Sequence, residues 1–228
     1  MLHFAKQTVH RALRSQGFDL VRTEPAPPQR NLKAEGLTGW FLPAECHRLY
    51  LLAAMTSGPI LEIGHFLGRS TACICEAIHD IGKPREFVSY DLGFRSPEQF
   101  KAHYDKVHKS DIPVPALYSD VVFSQNTTTT EIARQNLKAL QLDRYVRLIS
   151  GDFIDLDSSK YDMIFCDATH DIHELELNLP HVVAHSNHGC VWAFHDMDRS
   201  KIDAALNLAD VEFSDLTISL GVFVYMGC

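Results

Sequence analysis

The sequence lacks the features that would place it in several large classes of protein. None of its six cysteines belongs to a C-x-x-C pair, which argues against a zinc ribbon. No run of about 18 apolar residues occurs, so we expect no membrane-spanning helix. The first residues, MLHFAKQTVHRALRSQGF, lack the continuous apolar core of a secretion signal. We therefore expect an intracellular, cytoplasmic protein.

The chain is also short of basic residues. It has 21 Lys and Arg against 29 Asp and Glu, a formal charge of −8. A general nucleic-acid binder usually has a basic footprint, and we find neither a basic stripe nor an aromatic clamp for a base. We therefore expect no nucleic-acid partner. With 46% hydrophobic and 22% charged residues, the 228-residue chain suits one α/β domain with a sizeable core.

The cysteines are predicted to be buried and reduced. Cys73, Cys75, Cys166 and Cys190 lie within apolar runs, where free thiols behave as small hydrophobic groups. Free thiols persist in the reducing environment of the cytosol.

Two segments stand apart from the rest of the chain. Residues 1–36 are predicted to form an amphipathic helix followed by a proline-rich linker, and the helix is a candidate element for a homodimer. Residues 37–228 are predicted to form the main domain. Within it, an insertion at about 93–128 interrupts the regular alternation, and we expect it to cover a substrate.

Strands and helices alternate through the main domain, which predicts a Rossmann-like, seven-stranded, mostly parallel sheet with helices on both faces. The last two strands are predicted to form an antiparallel hairpin around Leu220-Gly221, and Pro180 is expected to bend or interrupt its helix. The predicted strands are Ile60–Ile63, Phe87–Tyr90, Tyr145–Ile149, Tyr161–Cys166, Cys190–Phe194, Val211–Ser219 and Val222–Met226. One predicted helix begins at Pro43. The other predicted helices span Ser70–Ile81, Pro97–His108, Thr129–Leu140, Asp171–Ser186 and Ser200–Leu208.

The segment LEIGHFLGRST leads from a buried strand through Gly64 and Gly68 into a helix near Ser70. Glycine permits a tight turn, and the N–H groups of a helix N-terminus can hold a carboxylate, a phosphate or a ribose. The G-x-G-x-x-G fingerprint is absent, because Phe66 and Arg69 occupy two of its glycine positions. A dinucleotide such as NAD or FAD is therefore disfavoured.

Two further strands end in an acidic residue. Asp91 ends the next predicted strand, where a carboxylate can accept hydrogen bonds from both hydroxyls of a ribose. Asp152 follows the strand after that and could face an adenine amino group. Each residue could instead be an ordinary turn or cap residue.

The sequence resembles the class I S-adenosylmethionine-dependent methyltransferases, especially the small-molecule branch with a "DGDH"-type motif after strand four. The resemblance rests on five segments in this order: EIGHFLGRST, YD, ISGDF, YDMIFCDATHD and GCVWAFHD. The resemblance implies that Asp91 binds the ribose and that Asp167 lies beside the reacting groups. Ala168-Thr169 depart from the motif and remove one carboxylate. The implied cofactor-binding residues are Glu62, Gly64, His65, Phe66, Gly68, Ser70, Asp91, Leu92, Gly151, Asp152, Phe153 and Asp167.

The ends of the fourth and fifth strands carry a set of oxygen and nitrogen donors: Asp167, His170, His195 and Asp196. One interpretation is a divalent metal site formed by Asp167, Asp196 and His195, with Mg²⁺ or a softer ion such as Mn²⁺, Fe²⁺ or Zn²⁺. A second takes His170 or His195 as a general base. A third is that these residues are structural.

The leading prediction is methyl transfer from S-adenosylmethionine to a small-molecule hydroxyl, with Asp167, His170 and His195 as candidate catalytic residues. The alternatives are a metal-dependent hydrolase or hydroxylase on the same scaffold, and a non-catalytic nucleoside-binding module. Trp40 and Phe41 could line an acceptor pocket, but core packing is the simpler expectation.

Overall fold

The computed structural model describes residues 31–108 and 113–227. The predicted N-terminal helix and its proline-rich segment lie outside these residues. Seven strands form one sheet in the order β3-β2-β1-β4-β5-β7-β6. Strands β1 to β5 are parallel, and β7 is antiparallel to both β5 and β6. The predicted mixed α/β sheet is confirmed.

The element boundaries are as follows. The strands are β1 (Ile60–Ile63), β2 (Phe87–Asp91), β3 (Arg147–Ser150), β4 (Tyr161–Cys166), β5 (Ser186–Phe194), β6 (Val211–Thr217) and β7 (Leu220–Tyr225). The α-helices are α1 (Pro43–Met55), α2 (Arg69–Ile81), α3 (Pro97–His108), α4 (Thr129–Ala139), α5 (Ile172–Ala184) and α6 (Arg199–Leu208).

Local signals explain most of the helix ends. Pro43 begins α1, where its missing N–H costs nothing, and α2 ends at Gly82 with a φ of +65°. The Thr128 hydroxyl caps α4 by accepting a 3.1 Å hydrogen bond from the Glu131 backbone N–H.

The predicted position of the C-terminal turn is wrong. The turn of the C-terminal hairpin lies at Ile218-Ser219 and not at Leu220-Gly221, because Ile218 adopts the left-handed conformation with a φ of +58°. Pro180 does not interrupt α5, which runs from Ile172 to Ala184. The apolar face of this helix packs on the sheet through Leu175, Leu179 and Val182, and that packing opposes the cost of the proline.

The core lies in two layers, one on each face of the sheet. Helices α1 and α2 pack on one face, where Leu49 and Ile74 meet Phe165. Helices α5 and α6 pack on the other face, around Trp192. Cys73, Cys75, Cys166 and Cys190 are buried free thiols, as predicted. No helix among the described residues is long and apolar enough to cross a membrane.

The topology concentrates chemistry at one edge of the sheet. Strands β1 to β5 are parallel, so their carboxyl ends meet at the same edge. The direction of strand order reverses between β1 and β4, and ligands of open α/β sheets bind at such a switch point.

Candidate active site

A cavity of about 840 Å³ opens at this edge of the sheet. The loop after β1, the ends of β2 to β5, the segment before α1 and the insertion all contribute to its walls. The predicted site residues that border it are Gly64, His65, Phe66, Ser70, Asp91, Leu92, Gly151, Asp152, Phe153, Asp167, His170, His195 and Asp196.

Glu62 lies in β1 and is fully buried beneath the cavity instead of bordering it. Its carboxylate accepts hydrogen bonds of 2.6 Å from the hydroxyls of Ser70, Thr71 and Ser89. Burial raises the pKa of Glu62 to about 7, and these hydrogen bonds limit the rise. The acid ties β1 to β2 and to the first turn of α2, so it supports the loop between them.

The loop after β1 depends on two glycines in the left-handed conformation. Gly64 has a φ of +89°, and a Cβ there would lie 2.7 Å from the backbone oxygen of Asp167. Gly68 has a φ of +88°, and a Cβ there would lie 3.2 Å from the Cβ of Ala133. The chain therefore passes close to β4 and α4 at positions where a larger residue would collide.

Asp91 ends β2 with its carboxylate at the cavity. Its Oδ1 accepts hydrogen bonds from the Gly93 backbone N–H at 2.8 Å and the Thr129 hydroxyl at 2.5 Å. Its Oδ2 accepts one hydrogen bond, of 2.9 Å, from the Phe66 backbone N–H. Each carboxylate oxygen can accept about two hydrogen bonds, so Oδ2 retains capacity for a ligand hydroxyl.

A run of four threonines, residues 127–130, includes the first two residues of α4 and connects the insertion to this site. The Thr129 hydroxyl donates to Asp91, and the Thr130 Oγ1 lies 3.0 Å from the Nε2 of His65. The Nδ1 of His65 lies 2.9 Å from the Ser89 Oγ. Burial lowers the pKa of His65, so its imidazole is a neutral bridge between β2 and α4.

The end of β3 continues the cavity wall beyond Asp91. The Gly151 backbone N–H donates a 2.8 Å hydrogen bond to the Asp91 carbonyl, and a Cβ at Gly151 would meet nothing within 4 Å. The Asp152 carboxylate accepts a 3.2 Å hydrogen bond from the Ile154 backbone N–H. Phe153 adds a buried apolar surface. This part of the wall offers a flat, largely apolar surface with one carboxylate.

His195 lies between three carboxylates at the end of β5. Its Nδ1 is 3.0 Å from the Oδ1 of Asp167 and 3.5 Å from the Oδ1 of Asp196. Its Nε2 is 3.3 Å from the Oε2 of Glu45, a buried residue of α1. Both ring nitrogens of His195 are thus engaged with acidic partners.

The carboxylates favour the protonated form of both histidines. Burial disfavours the charge on His195, but Asp167, Asp196 and Glu45 outweigh it and raise its pKa to about 12. Burial also disfavours the charge on His170, whose pKa is nevertheless raised to about 8, mainly by Glu174. With these protein groups alone, both imidazoles carry a proton at neutral pH, which weighs against a free histidine base.

Asp167, His170 and Asp196 each direct one donor atom to a common region, with these atoms within 4.8 Å of one another. Two carboxylates and one imidazole suit a divalent cation such as Mg²⁺ or Mn²⁺. His195, also a predicted ligand, is instead engaged by its acidic neighbours on both ring nitrogens. The donor set thus contains His170 in place of His195.

Two buried side chains join the loops that carry these donors. The Thr169 hydroxyl donates a 3.0 Å hydrogen bond to the His195 carbonyl. Lys201 of α6 donates to the carbonyls of His170 at 2.8 Å and of Asp196 at 2.5 Å. At the position where the resembled motif has a carboxylate, Thr169 therefore links the two loops.

A family model described as a methyltransferase domain matches residues 61–197, more than half of the chain. The match begins in β1 and ends after β5, so it includes all five strand ends that border the cavity. The chain belongs to the class I S-adenosylmethionine-dependent methyltransferases. The enzyme class predicted from the sequence is confirmed.

Solved structures share the fold of this methyltransferase. A methyltransferase from Pyrococcus furiosus is 15% identical, with 99% of this chain and 98% of that chain covered and a TM-score of 0.51. A SAM-dependent O-methyltransferase from Thermotoga maritima is 12% identical, with 85% and 68% covered and a TM-score of 0.54. An O-methyltransferase from Bacillus cereus, in complex with SAH, is 16% identical, with 85% and 83% covered and a TM-score of 0.50. No curated protein sequence matches the chain.

No local sequence pattern indicates that three charged residues, Glu45, Glu174 and Lys201, belong to the methyltransferase site. Glu45 follows Pro43 by two positions, a pattern that indicates a helix start, and it does accept a 2.8 Å hydrogen bond from the Leu42 backbone N–H. Nothing in that pattern indicates the contact with His195, which is 150 residues away in the chain.

The fold also brings together aromatic side chains that lie far apart in the sequence. Trp40 is 51% exposed and borders the cavity, so the expectation of core packing is wrong for Trp40. The expectation is confirmed for Phe41, which is buried and packs against Phe165 and His195. The aromatic side chains that border the cavity include Trp40, Phe66, Phe94, Phe100, Tyr104, Tyr118 and Phe153.

Proposed function

We propose that this methyltransferase uses S-adenosylmethionine to methylate the hydroxyl group of a small-molecule acceptor. The observation that carries the proposal is the cavity of about 840 Å³ that extends from Asp91 to Asp167 and His170. Small-molecule sites usually measure roughly 300–1,000 Å³, so this volume suits a nucleoside cofactor together with a compact acceptor.

The residues on the Asp91 side fit the cofactor. The free acceptor capacity of Asp91 suits a ribose hydroxyl, and the surface around Phe153 suits a flat purine. Gly64 allows a ligand to approach the backbone closely. Glu62 is assigned an indirect role, because it is fully buried and supports Ser70. S-adenosylmethionine supplies an electrophilic methyl group when it is bound.

The residues on the other side suit an acceptor hydroxyl. Asp167 borders the cavity and is held by the His195 imidazolium at 3.0 Å, so its carboxylate is oriented before a ligand arrives. A carboxylate so placed can accept a hydrogen bond from the hydroxyl and remove its proton as the methyl group moves. His195 acts through Asp167 and is assigned a positioning role.

A divalent metal ion is the alternative to Asp167 as the group that activates the hydroxyl, because a carboxylate that binds a cation is a weak base. Asp167, His170 and Asp196 would hold it, since they supply three hard or borderline donors in one region. Such an ion lowers the pKa of a bound hydroxyl.

The lining supports a small molecule over a nucleic acid. Among the described residues, Arg69 is the one Lys or Arg at the cavity, and its guanidinium donates to the carbonyls of Gly39 at 3.1 Å and Glu35 at 3.3 Å. The buried free thiols support a reducing compartment such as the cytoplasm. A homodimer stays a prediction.

Calorimetric titration with S-adenosylhomocysteine tests the cofactor site. We expect micromolar binding that weakens by at least about tenfold in Asp91→Ala, since the charge-assisted hydrogen bond from a ribose hydroxyl to Asp91 is lost. Asp105→Ala, at an exposed position of α3, is the matched control and should bind normally. Absence of binding to the unmodified protein would refute the proposed function.

Titration with Mn²⁺ tests the metal site without a need for substrate. We expect binding by the unmodified protein and a loss of at least about tenfold in Asp196→Asn, because one charged ligand is removed. Asp203→Asn removes an exposed carboxylate on α6 and should leave Mn²⁺ affinity unchanged. Equal affinity in all three proteins would remove the metal from the proposal.

A further inference from the structure

Five aromatic rings form a continuous surface along the cavity, which we call the aromatic wall: Trp40, Phe66, Tyr118, Phe100 and Tyr104. Successive ring centroids along this series are 4.7, 4.8, 5.1 and 4.4 Å apart. The Tyr104 ring lies 6.4 Å from the His170 ring. The wall therefore leads from the half-exposed Trp40 to the group of candidate metal ligands.

The wall is built from three separate parts of the chain. Trp40 precedes α1, Phe66 belongs to the loop after β1, and Tyr118 follows α3 in the insertion. Phe100 and Tyr104 both lie on α3, one turn apart. A surface to which three segments contribute rings is more than the packing of one helix. Phe100 is nearly fully buried and supports the other rings, which are partly exposed and border the cavity where a ligand can reach them.

The wall stays uncharged. Burial raises the pKa of Tyr118 well above the usual range, so its phenol keeps its proton. Aromatic faces and edges attract other aromatic rings in stacked or edge-on geometry, which adds about 0.5–1.5 kcal/mol to the burial of apolar area. A flat aromatic ligand therefore gains more from this wall than a saturated one of the same outline.

The charged side chains around the cavity narrow the class of acceptor further. Arg69 is the one Lys or Arg that the described residues place at the cavity, and two backbone carbonyls already accept from it. Five carboxylates border the same space: Asp91, Asp152, Asp167, Glu174 and Asp196. The imidazoles of His170 and His195 are each engaged by one of these carboxylates, at 2.8 and 3.0 Å. Carboxylates therefore outnumber the cationic groups of the protein at the cavity, and an acceptor with a carboxylate or phosphate would meet net repulsion from these side chains.

We propose that the acceptor is an uncharged aromatic molecule that packs its ring against the aromatic wall and directs a ring hydroxyl toward Asp167. This inference rests on the proposed function. In the transfer, the acceptor oxygen forms a bond to the methyl carbon while the carbon–sulfur bond breaks. The products are an aryl methyl ether and S-adenosylhomocysteine, and the hydroxyl proton passes to Asp167.

Binding of four probes to the protein saturated with S-adenosylhomocysteine tests the acceptor class. The probes are 2-naphthol, its saturated counterpart decahydro-2-naphthol, the anion 2-naphthoate and the cation trimethylanilinium. Trp40 fluorescence reports the binding, since the other tryptophan, Trp192, is buried in the core. We expect 2-naphthol to bind at least tenfold more tightly than each of the others.

The outcomes separate this inference from the proposed function. If S-adenosylhomocysteine binds but decahydro-2-naphthol binds as tightly as 2-naphthol, the proposal of an aromatic acceptor is wrong and the methyltransferase proposal stands. Tightest binding of the anion or the cation would likewise overturn the inference. If S-adenosylhomocysteine does not bind, the proposed function itself is wrong.

Variants of the wall provide the second measurement. Tyr118→Leu should weaken 2-naphthol about tenfold, or about 1.4 kcal/mol, and change S-adenosylhomocysteine affinity less than twofold. Tyr118→Phe keeps the ring and should retain 2-naphthol binding. Tyr145→Leu, beside His79 and away from the cavity, is the matched control. If Tyr118→Leu and Phe100→Leu lose affinity for 2-naphthol and for S-adenosylhomocysteine equally, the wall only supports the cofactor site.

Discussion

The cradle, formed by Glu62, Gly64, His65 and Asp91, contrasts with the aromatic wall along the same cavity. In the cradle, Asp91 alone accepts three hydrogen bonds from the protein, and Glu62 accepts three more. In the wall, rings contact rings. Directional bonds hold the cradle in one geometry, whereas apolar contacts tolerate changes of shape. A rigid cradle would suit a cofactor that is always the same, and an adaptable wall would suit an acceptor that can vary.

The largest expected effect comes from closing the space that the cradle depends on. Gly64→Ala would place a Cβ 2.7 Å from the Asp167 carbonyl at a φ of +89°, so we expect it to lose about 3 kcal/mol of unfolding free energy. Urea unfolding measures this loss. Gly36→Ala meets nothing within 4 Å and should change stability by less than about 0.5 kcal/mol. Similar small values for both variants would contradict the described turn.

The buried acid should give a distinct dependence on pH. Because burial raises its pKa from 4.5 to about 7, folded Glu62 retains a proton between these pH values while the unfolded chain has released it. Its contribution to stability is therefore fully present below pH 4.5 and falls by about 3 kcal/mol as the pH rises to 7.

Urea unfolding of the unmodified protein and Glu62→Gln between pH 4 and 8 isolates this effect. The glutamine does not ionise, so the stability of the variant relative to the unmodified protein should increase with pH over this range. Stability curves that stay parallel would mean that Glu62 has an ordinary pKa.

A smaller effect should follow from the hydroxyl that orients Asp91. Thr129→Val removes a hydrogen bond to a charged group, so we expect a five- to tenfold loss of S-adenosylhomocysteine affinity, or about 1–1.4 kcal/mol. Thr129→Ser should restore it. Thr127→Val is a matched control from the same run, because Thr127 donates to Glu131 instead. Unchanged affinity in Thr129→Val would leave Asp91 oriented by the backbone alone.

The smallest effect is expected from the outer end of the wall. Trp40 is half exposed and makes its closest ring contact with Phe66, so Trp40→Leu should change stability by less than about 1 kcal/mol. Calorimetry should show less than a twofold change for S-adenosylhomocysteine. A large loss of that ligand would mean that the wall and the cradle act as one unit.

Most of the cradle is contiguous in the sequence, and this explains why it could be predicted. Gly64 and His65 come within three residues of Glu62 in the chain, and Asp91 ends the next strand. The supporting contacts of Asp91 could not be predicted, since Thr129 comes from the start of α4, 38 residues later. A hydrogen bond between distant segments depends on how helices pack, and local periodicity contains no information about that packing.

The acceptor side shows the same limit more clearly. The sequence indicates Asp167, His170 and Asp196 as donors because they follow two apolar strands. The distinct surroundings of His170 and His195 were decided by Glu174 and Glu45. Glu174 lies four residues from His170, but its position is equally typical of an acidic residue in the first turn of a helix.

By itself, the sequence determined the alternating strands and helices, the mixed sheet and the acidic residues at strand ends, because hydrophobic period, glycine and proline act over short distances. Tertiary structure alone decided that Glu45 meets His195, that the threonine run holds Asp91 and His65, and that scattered aromatic residues share one wall. These contacts join segments far apart in the chain, and only the packing of helices on both faces of the sheet brings them together.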